Sequence, residues 1–167
     1  VVQGSDAVEL LNGECCAVAM SFLDTTELSW YMQENYEQTA VVGLLYVDNY
    51  DEVMESVEDV RRSMLEALVD RRITKYICSA DGLIKKLEKD KYLLVMNRKG
   101  LDQLEDDRFT VLEDVKTVNI GNSIAATVSI GIGLNNGGYA QNFEAARVAM
   151  EMALARGGDQ AVVKDKD

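Results

Sequence analysis

Histidine and proline are both absent from the 167 residues. Without an imidazole, Ser-His-Asp and Cys-His nucleophile systems, HExxH metal sites and histidine acid–base relays are excluded. Any chemistry must rest on carboxylates, lysines or a metal held by oxygen ligands. Cysteine is scarce: Cys15, Cys16 and Cys78 are odd in number and lack CxxC spacing. That argues against a disulfide framework or a structural zinc and fits a reducing cytoplasm. No apolar run approaches the roughly 20 residues that span a bilayer, and no basic, apolar leader opens at Val1. The expectation is a soluble piece of a larger protein. Basic residues are outnumbered 17 to 29, for a formal charge of −12. Nucleic-acid phosphates and anionic membrane surfaces need a basic footprint, so neither is an expected partner. A small anion could still bind through a local cation or backbone N–H groups.

What is present is a globular composition, 47% hydrophobic and 28% charged, enough for one packed domain with a small appendage. "ECCAVAMSFLDTTEL" alternates through Cys16, Val18, Met20 and Phe22 and reads as a strand ending at Asp24. "TTELSWYMQENYEQ" carries Leu28, Tyr31 and Met32 at helical spacing, with Thr25 or Thr26 as N-cap. "AVVGLLYV", Ala40 to Val47, is a continuous apolar run and reads as a central buried strand. Val53, Val57, Val60, Met64 and Leu68 then recur every three or four positions, which predicts a helix, and Arg72 to Ser79 a second helical piece.

"KKLEKDKYLLVMN", Lys85 to Asn97, reads as a hairpin whose charged tip lacks the glycine or asparagine usual in a tight turn. Leu101 to Val115 predicts one further helix, and "AATVSIGIGL" from Ala125 a strand with Gly131 and Gly133 on one face. Asn142 is the expected cap of an alanine-rich helix stopped by Gly157 and Gly158, and "DQAVVK" is a last strand. This order predicts an α+β layer architecture, a mainly antiparallel sheet with helices against it. With neither proline nor a Gly/Ser linker, nothing marks a second boundary after Ala40.

Element order, the "TVSIGIG" strand before an alanine-rich helix, and the charged hairpin together resemble the GGDEF, or diguanylate cyclase, domain. More narrowly, "VVGLLYVDNYDEVME", "KDKYLLVM" and "ALARGGDQAVVK" resemble the degenerate GGDEF domain of the GdpP-type cyclic-di-AMP phosphodiesterases, over about Ala40 to Lys164. That family implies membrane-anchored parents with a PAS domain before this module and a DHH-type catalytic domain after it. Residues 1–27 would then be the end of a PAS-like domain, 28–39 a connector helix and 40–167 the degenerate GGDEF domain. The connector's Leu28, Tyr31, Met32 and Asn35 would pair across a homodimer.

On this resemblance the five signature positions fall on Glu88, Lys89, Asp90, Lys91 and Tyr92, and only the aspartate is kept. Working cyclases use the two glycines to bring backbone close to the guanine nucleotide and the glutamate to hold a divalent metal. Lysine at the glutamate position repels a metal instead. The cyclase run Asp-x-Asp-x-Phe-Lys-x-x-Asn-Asp matches Tyr46 to Glu55. Tyr46 replaces the first, metal-binding aspartate, Asp48 keeps the second, and Met54 replaces the substrate-binding asparagine. The triphosphate lysine of the last helix falls on Leu154, and the Arg-x-x-Asp product-inhibition site, near Cys78 to Asp81, lacks its arginine. The resemblance implies a regulatory relay without diguanylate cyclase activity. The alternative it implies is weak Mg²⁺-dependent ATP hydrolysis, with Asp48, Asp51 and Glu55 around one Mg²⁺.

Plainer readings stand beside these. Glu88 to Lys91 can be a solvated hairpin tip or a structural interface, and Asp48 and Asp51 can simply begin a helix, where acidic groups suit the dipole. Arg156 is the best local cation for a phosphate, yet an exposed arginine needs no ligand. Gly131 and Gly133 lack the third glycine of a dinucleotide fingerprint, and "LEDDRFTVLED" reads as a solvated face.

Overall fold

The computed structural model describes residues 26–166, so the strand expected before Thr25 and all but the last two residues of the 1–27 PAS assignment lie outside the described residues. The chain divides into two units, Val1–Glu37 and Gln38–Asp167. In the first, α1 (Thr26–Glu37) buries no residue, and Leu28, Trp30, Tyr31 and Met32 are all exposed. Trp30 and Tyr31 meet edge to face with ring centroids 5.2 Å apart.

The second unit is built on a five-stranded sheet in the order β2-β3-β1-β4-β5. β1 (Ala40–Val47) lies at its centre, as an unbroken apolar run requires, antiparallel to β3 (Lys91–Asn97) and β4 (Val128–Leu134). β2 (Leu83–Lys86) pairs with β3 as the predicted hairpin, and β5 (Ala161–Lys164) runs parallel to β4. The predicted α+β architecture is the one observed.

Helices cover both faces. On one, α2 (Tyr50–Glu55), α3 (Asp59–Ser79), α4 (Arg98–Asp106) and α5 (Val111–Lys116) enclose the main core with Val41, Leu45, Val47, Leu94, Ile130 and Ile132. On the other, α6 (Tyr139–Ala155) packs Ala146 and Met150 against Leu44. That approach needs the two glycines of β4. A Cβ on Gly133 would lie 2.6 Å from Ala146 N and one on Gly131 2.8 Å from Met150 Cα, so any side chain would push the helix away.

Four local expectations are corrected. Arg72–Ser79 is not a separate piece but the last third of the 21-residue α3, whose buried stripe is Leu65, Val69, Ile73 and Ile77. Val60 and Met64, expected in that stripe, face solvent at 91% and 59% exposure. The chain turns at Ser56 before α3 begins, so the register of the first turn does not carry through. Leu101–Val115 is two helices, because Arg108 and Phe109 both take positive φ, 58° and 53°. Finally, α6 starts at Tyr139 after Gly138, and Asn142 is its buried fourth residue. The Asn142 amide donates to Ala40 O at 3.0 Å and its oxygen accepts from Asn136 N at 2.9 Å, satisfying backbone groups at the entry to β1 and the exit of β4.

Candidate functional site

Three segments meet where β1 ends. The first is the β1–α2 turn, the second the β2–β3 tip, the third the turn after α6. Val47 N donates to Asp90 O at 2.8 Å, which holds the tip against the end of β1. Asp48 N donates to Thr127 O at 2.9 Å, and the Asn49 side chain spans to the same approach to β4, donating to Ala125 O at 2.8 Å and accepting from Thr127 N at 3.0 Å. Asn49 was not among the candidate residues. It precedes α2 without making a side-chain cap bond and serves a segment 76 residues away.

At the tip, each lysine has an internal partner. Lys89 Nζ pairs with Asp51 in the first turn of α2 and lies 5.3 Å from the Tyr50 ring centroid. The Asp51 hydrogen bond is the main reason its ammonium is held above the usual lysine value. Lys91 Nζ bonds Glu88 Oε2 at 2.7 Å and lies 5.6 Å from the Tyr46 ring centroid. Tyr46 is the register partner of both Lys91 and Ser129, so it stands between the two flanking strands. Tyr92, which the resemblance sets at the fifth signature position, is 3% exposed and its hydroxyl donates to Asp70 on α3. Lys86 Nζ, 5.5 Å from the same ring, reaches Glu66 at 2.7 Å and Asp70 at 3.0 Å. Burial works against its charge, yet the two carboxylates raise it above the usual value.

Asp48 is committed elsewhere. Its Oδ2 accepts from Asp159 N at 2.9 Å, 111 residues along the chain. Gly158 makes this approach feasible: its φ is +75°, and a Cβ there would sit 2.8 Å from Asp48 Oδ2 and 3.3 Å from Ser129 Oγ. Asp159 Oδ2 pairs with Lys116 at 2.6 Å, and Lys116 also bonds Glu113 at 2.8 Å. Ser129 Oγ and Asp159 Oδ1 are enclosed there without a hydrogen-bond partner. Arg156 ends α6 in the same turn and is exposed, as is Glu55 at the end of α2.

The structure therefore brings Glu88, Lys89, Asp90 and Lys91 to the end of β1, with Asp48 and Asp51 beside them, but splits the two aspartates by role. Asp51 serves the tip and Asp48 the turn after α6. The expected Mg²⁺ set of Asp48, Asp51 and Glu55 does not fit an ion. Among the described residues no group of three or more acidic, cysteine or histidine side chains is placed to hold one. Asp51 already faces an ammonium where an ion would need its oxygens.

A hairpin-bearing sheet of this order, with helices on both faces, is the GGDEF fold. The GGEEF domain of a diguanylate cyclase from Vibrio cholerae superposes with a TM-score of 0.64 at 10% identity, covering 84% of this chain and 92% of that one. The coiled coil and GGDEF domain of DgcB from Caulobacter crescentus gives 0.65 at 14%, covering 83% and 77%. The particular family follows from sequence. The model described as "Cyclic-di-AMP phosphodiesterase GdpP-like, GGDEF domain" matches residues 45–167, and the chain belongs to that family. Cyclic-di-AMP phosphodiesterase GdpP of Geobacillus thermodenitrificans is 29% identical over 144 residues, as is PdeA of Listeria monocytogenes, and GdpP of Bacillus subtilis is 27% identical. Each match covers 86% of this chain and 22% of the relative, so the chain spans about a fifth of the length of these proteins. No helix among the described residues is long and apolar enough to cross a membrane.

Proposed function

We propose that this chain is a degenerate GGDEF module that relays regulatory state within a cyclic-di-AMP phosphodiesterase and makes no cyclic di-GMP itself. The observation that carries this reading is the Lys89–Asp51 pair. A cyclase signature presents bare backbone and a metal carboxylate at this tip; here side chains fill both glycine positions, and the charged groups neutralise one another. Tyr46 occupies the place of the first metal aspartate, with the Lys91 ammonium beside its ring. Two-metal phosphoryl transfer needs oxygen ligands around paired ions, and these positions supply a phenol and an amine instead. In the full-length protein the sensor would be a PAS domain, the catalytic centre a DHH-type domain and the anchor a membrane segment. The exposed α1 would be the element joining two copies.

Incubation of the chain with GTP and Mg²⁺ tests this directly, and no cyclic di-GMP above a protein-free blank is the expected result. Accumulation of the product would overturn the reading. A parallel incubation with ATP addresses the alternative, weak nucleotide hydrolysis. Turnover present in the wild type and lost in Asp48→Ala would favour the hydrolase. The engagement of Asp48 by Asp159 and of Asp51 by Lys89 favours the relay, for which no turnover is expected.

A further inference from the structure

In a chain of formal charge −12, Arg71, Arg72 and Lys75 stand together within five residues of α3. They line a groove of about 560 Å³ between α3 and α5, a size suited to a small-molecule ligand. Like charges three and four residues apart on a helix repel, so the sequence bears a cost that a bound anion would offset. Only Arg72 is paired, to Asp114 of α5 at 2.6 Å, which fixes its guanidinium across the groove. Arg71 and Lys75 have no carboxylate partner among the described residues, although nine of the other cations do, Arg72 included. The remaining wall is Leu68 and the ring of Tyr76, whose hydroxyl is held by Asp107 at 2.6 Å. A cationic rim with a rigid aromatic wall matches a phosphate group attached to a flat, apolar body. The groove shares only Ser79 with Cys78–Asp81 and draws its charge from the turns before it.

We propose that the α3–α5 groove binds a phosphate-bearing small molecule of nucleotide size, at a site separate from the signature hairpin. Calorimetric titration of the chain, with chelator present, uses inorganic pyrophosphate in one arm and adenosine diphosphate in the other. Saturable binding of both at one site per chain is expected, weakened about tenfold or more in Arg71→Gln/Lys75→Gln and unchanged in Lys89→Gln. Tighter binding of the nucleotide assigns the base to the Tyr76 wall; equal binding assigns recognition to the phosphates. Both replaced side chains are exposed, and Lys75→Glu alone, which should also weaken binding, provides a second variant with the fold checked by circular dichroism. Absence of saturable binding, undiminished affinity in the double variant, or an equal loss in Lys89→Gln would overturn the proposal.

Discussion

Individual residues here are set by how closely two backbones must approach. Gly133 is the sharpest case, because its missing Cβ leaves room for the first turns of α6. Gly133→Ala should destabilise the fold by about 1–3 kcal/mol or more, read as a lower urea midpoint at unchanged slope. Tyr76 and Tyr92 make a second residue-scale prediction. Burial first, then hydrogen bonds to Asp107 and Asp70 respectively, hold both phenols well above the usual tyrosine value. In the unfolded chain they titrate near about pH 10. The protonated phenol is therefore favoured in the native state, and its contribution is complete below about pH 10 and declines as pH rises from there. A stability profile should fall on the alkaline side, with cooperative appearance of tyrosinate absorbance as the protein unfolds. Tyr92→Phe should flatten that fall.

At the level of elements, α3 organises the larger core. Its four buried residues follow one another at intervals of four, and Ile73 is fully enclosed. Ile73→Ala removes packed methyl groups from a site with little room to collapse, and should cost about 2–5 kcal/mol in denaturant unfolding. The stripe was only half legible in the sequence. Val53, Val57 and Leu68 do pack inward, but Val60 and Met64 belong to the same periodic series and face solvent. A hydrophobic period identifies a helix, while its phase depends on where the preceding turn ends, and Ser56–Glu58 resets it. The break at Arg108 and Phe109 was hidden for a related reason. Positive φ is rare for arginine and phenylalanine, so no residue in "LEDDRFTVLED" announces it.

For the whole molecule, the unit Gln38–Asp167 is a GGDEF-like layer structure, while α1 presents Leu28, Trp30, Tyr31 and Met32 without burying any of them. If α1 joins two copies, as proposed, sedimentation should show a concentration-dependent dimer that Leu28→Glu/Met32→Glu converts to monomer. Retention of the dimer in that variant would place the contact elsewhere.

The α+β class, the central position of β1 and the β2–β3 hairpin were all determined by the sequence alone. Each is written in neighbouring residues, as an unbroken apolar run, as alternation, or as the order of such segments. Only the tertiary structure decided which partners the polar residues around the tip take. It set Lys89 against Asp51, turned Asp48 toward the backbone of Asp159, and buried Asn142 between two chain segments where a helix cap was expected. Local patterns report which face of an element is buried. The partner of a polar side chain depends on the path of the chain between residues as many as 111 positions apart, and that path exists only in the folded protein.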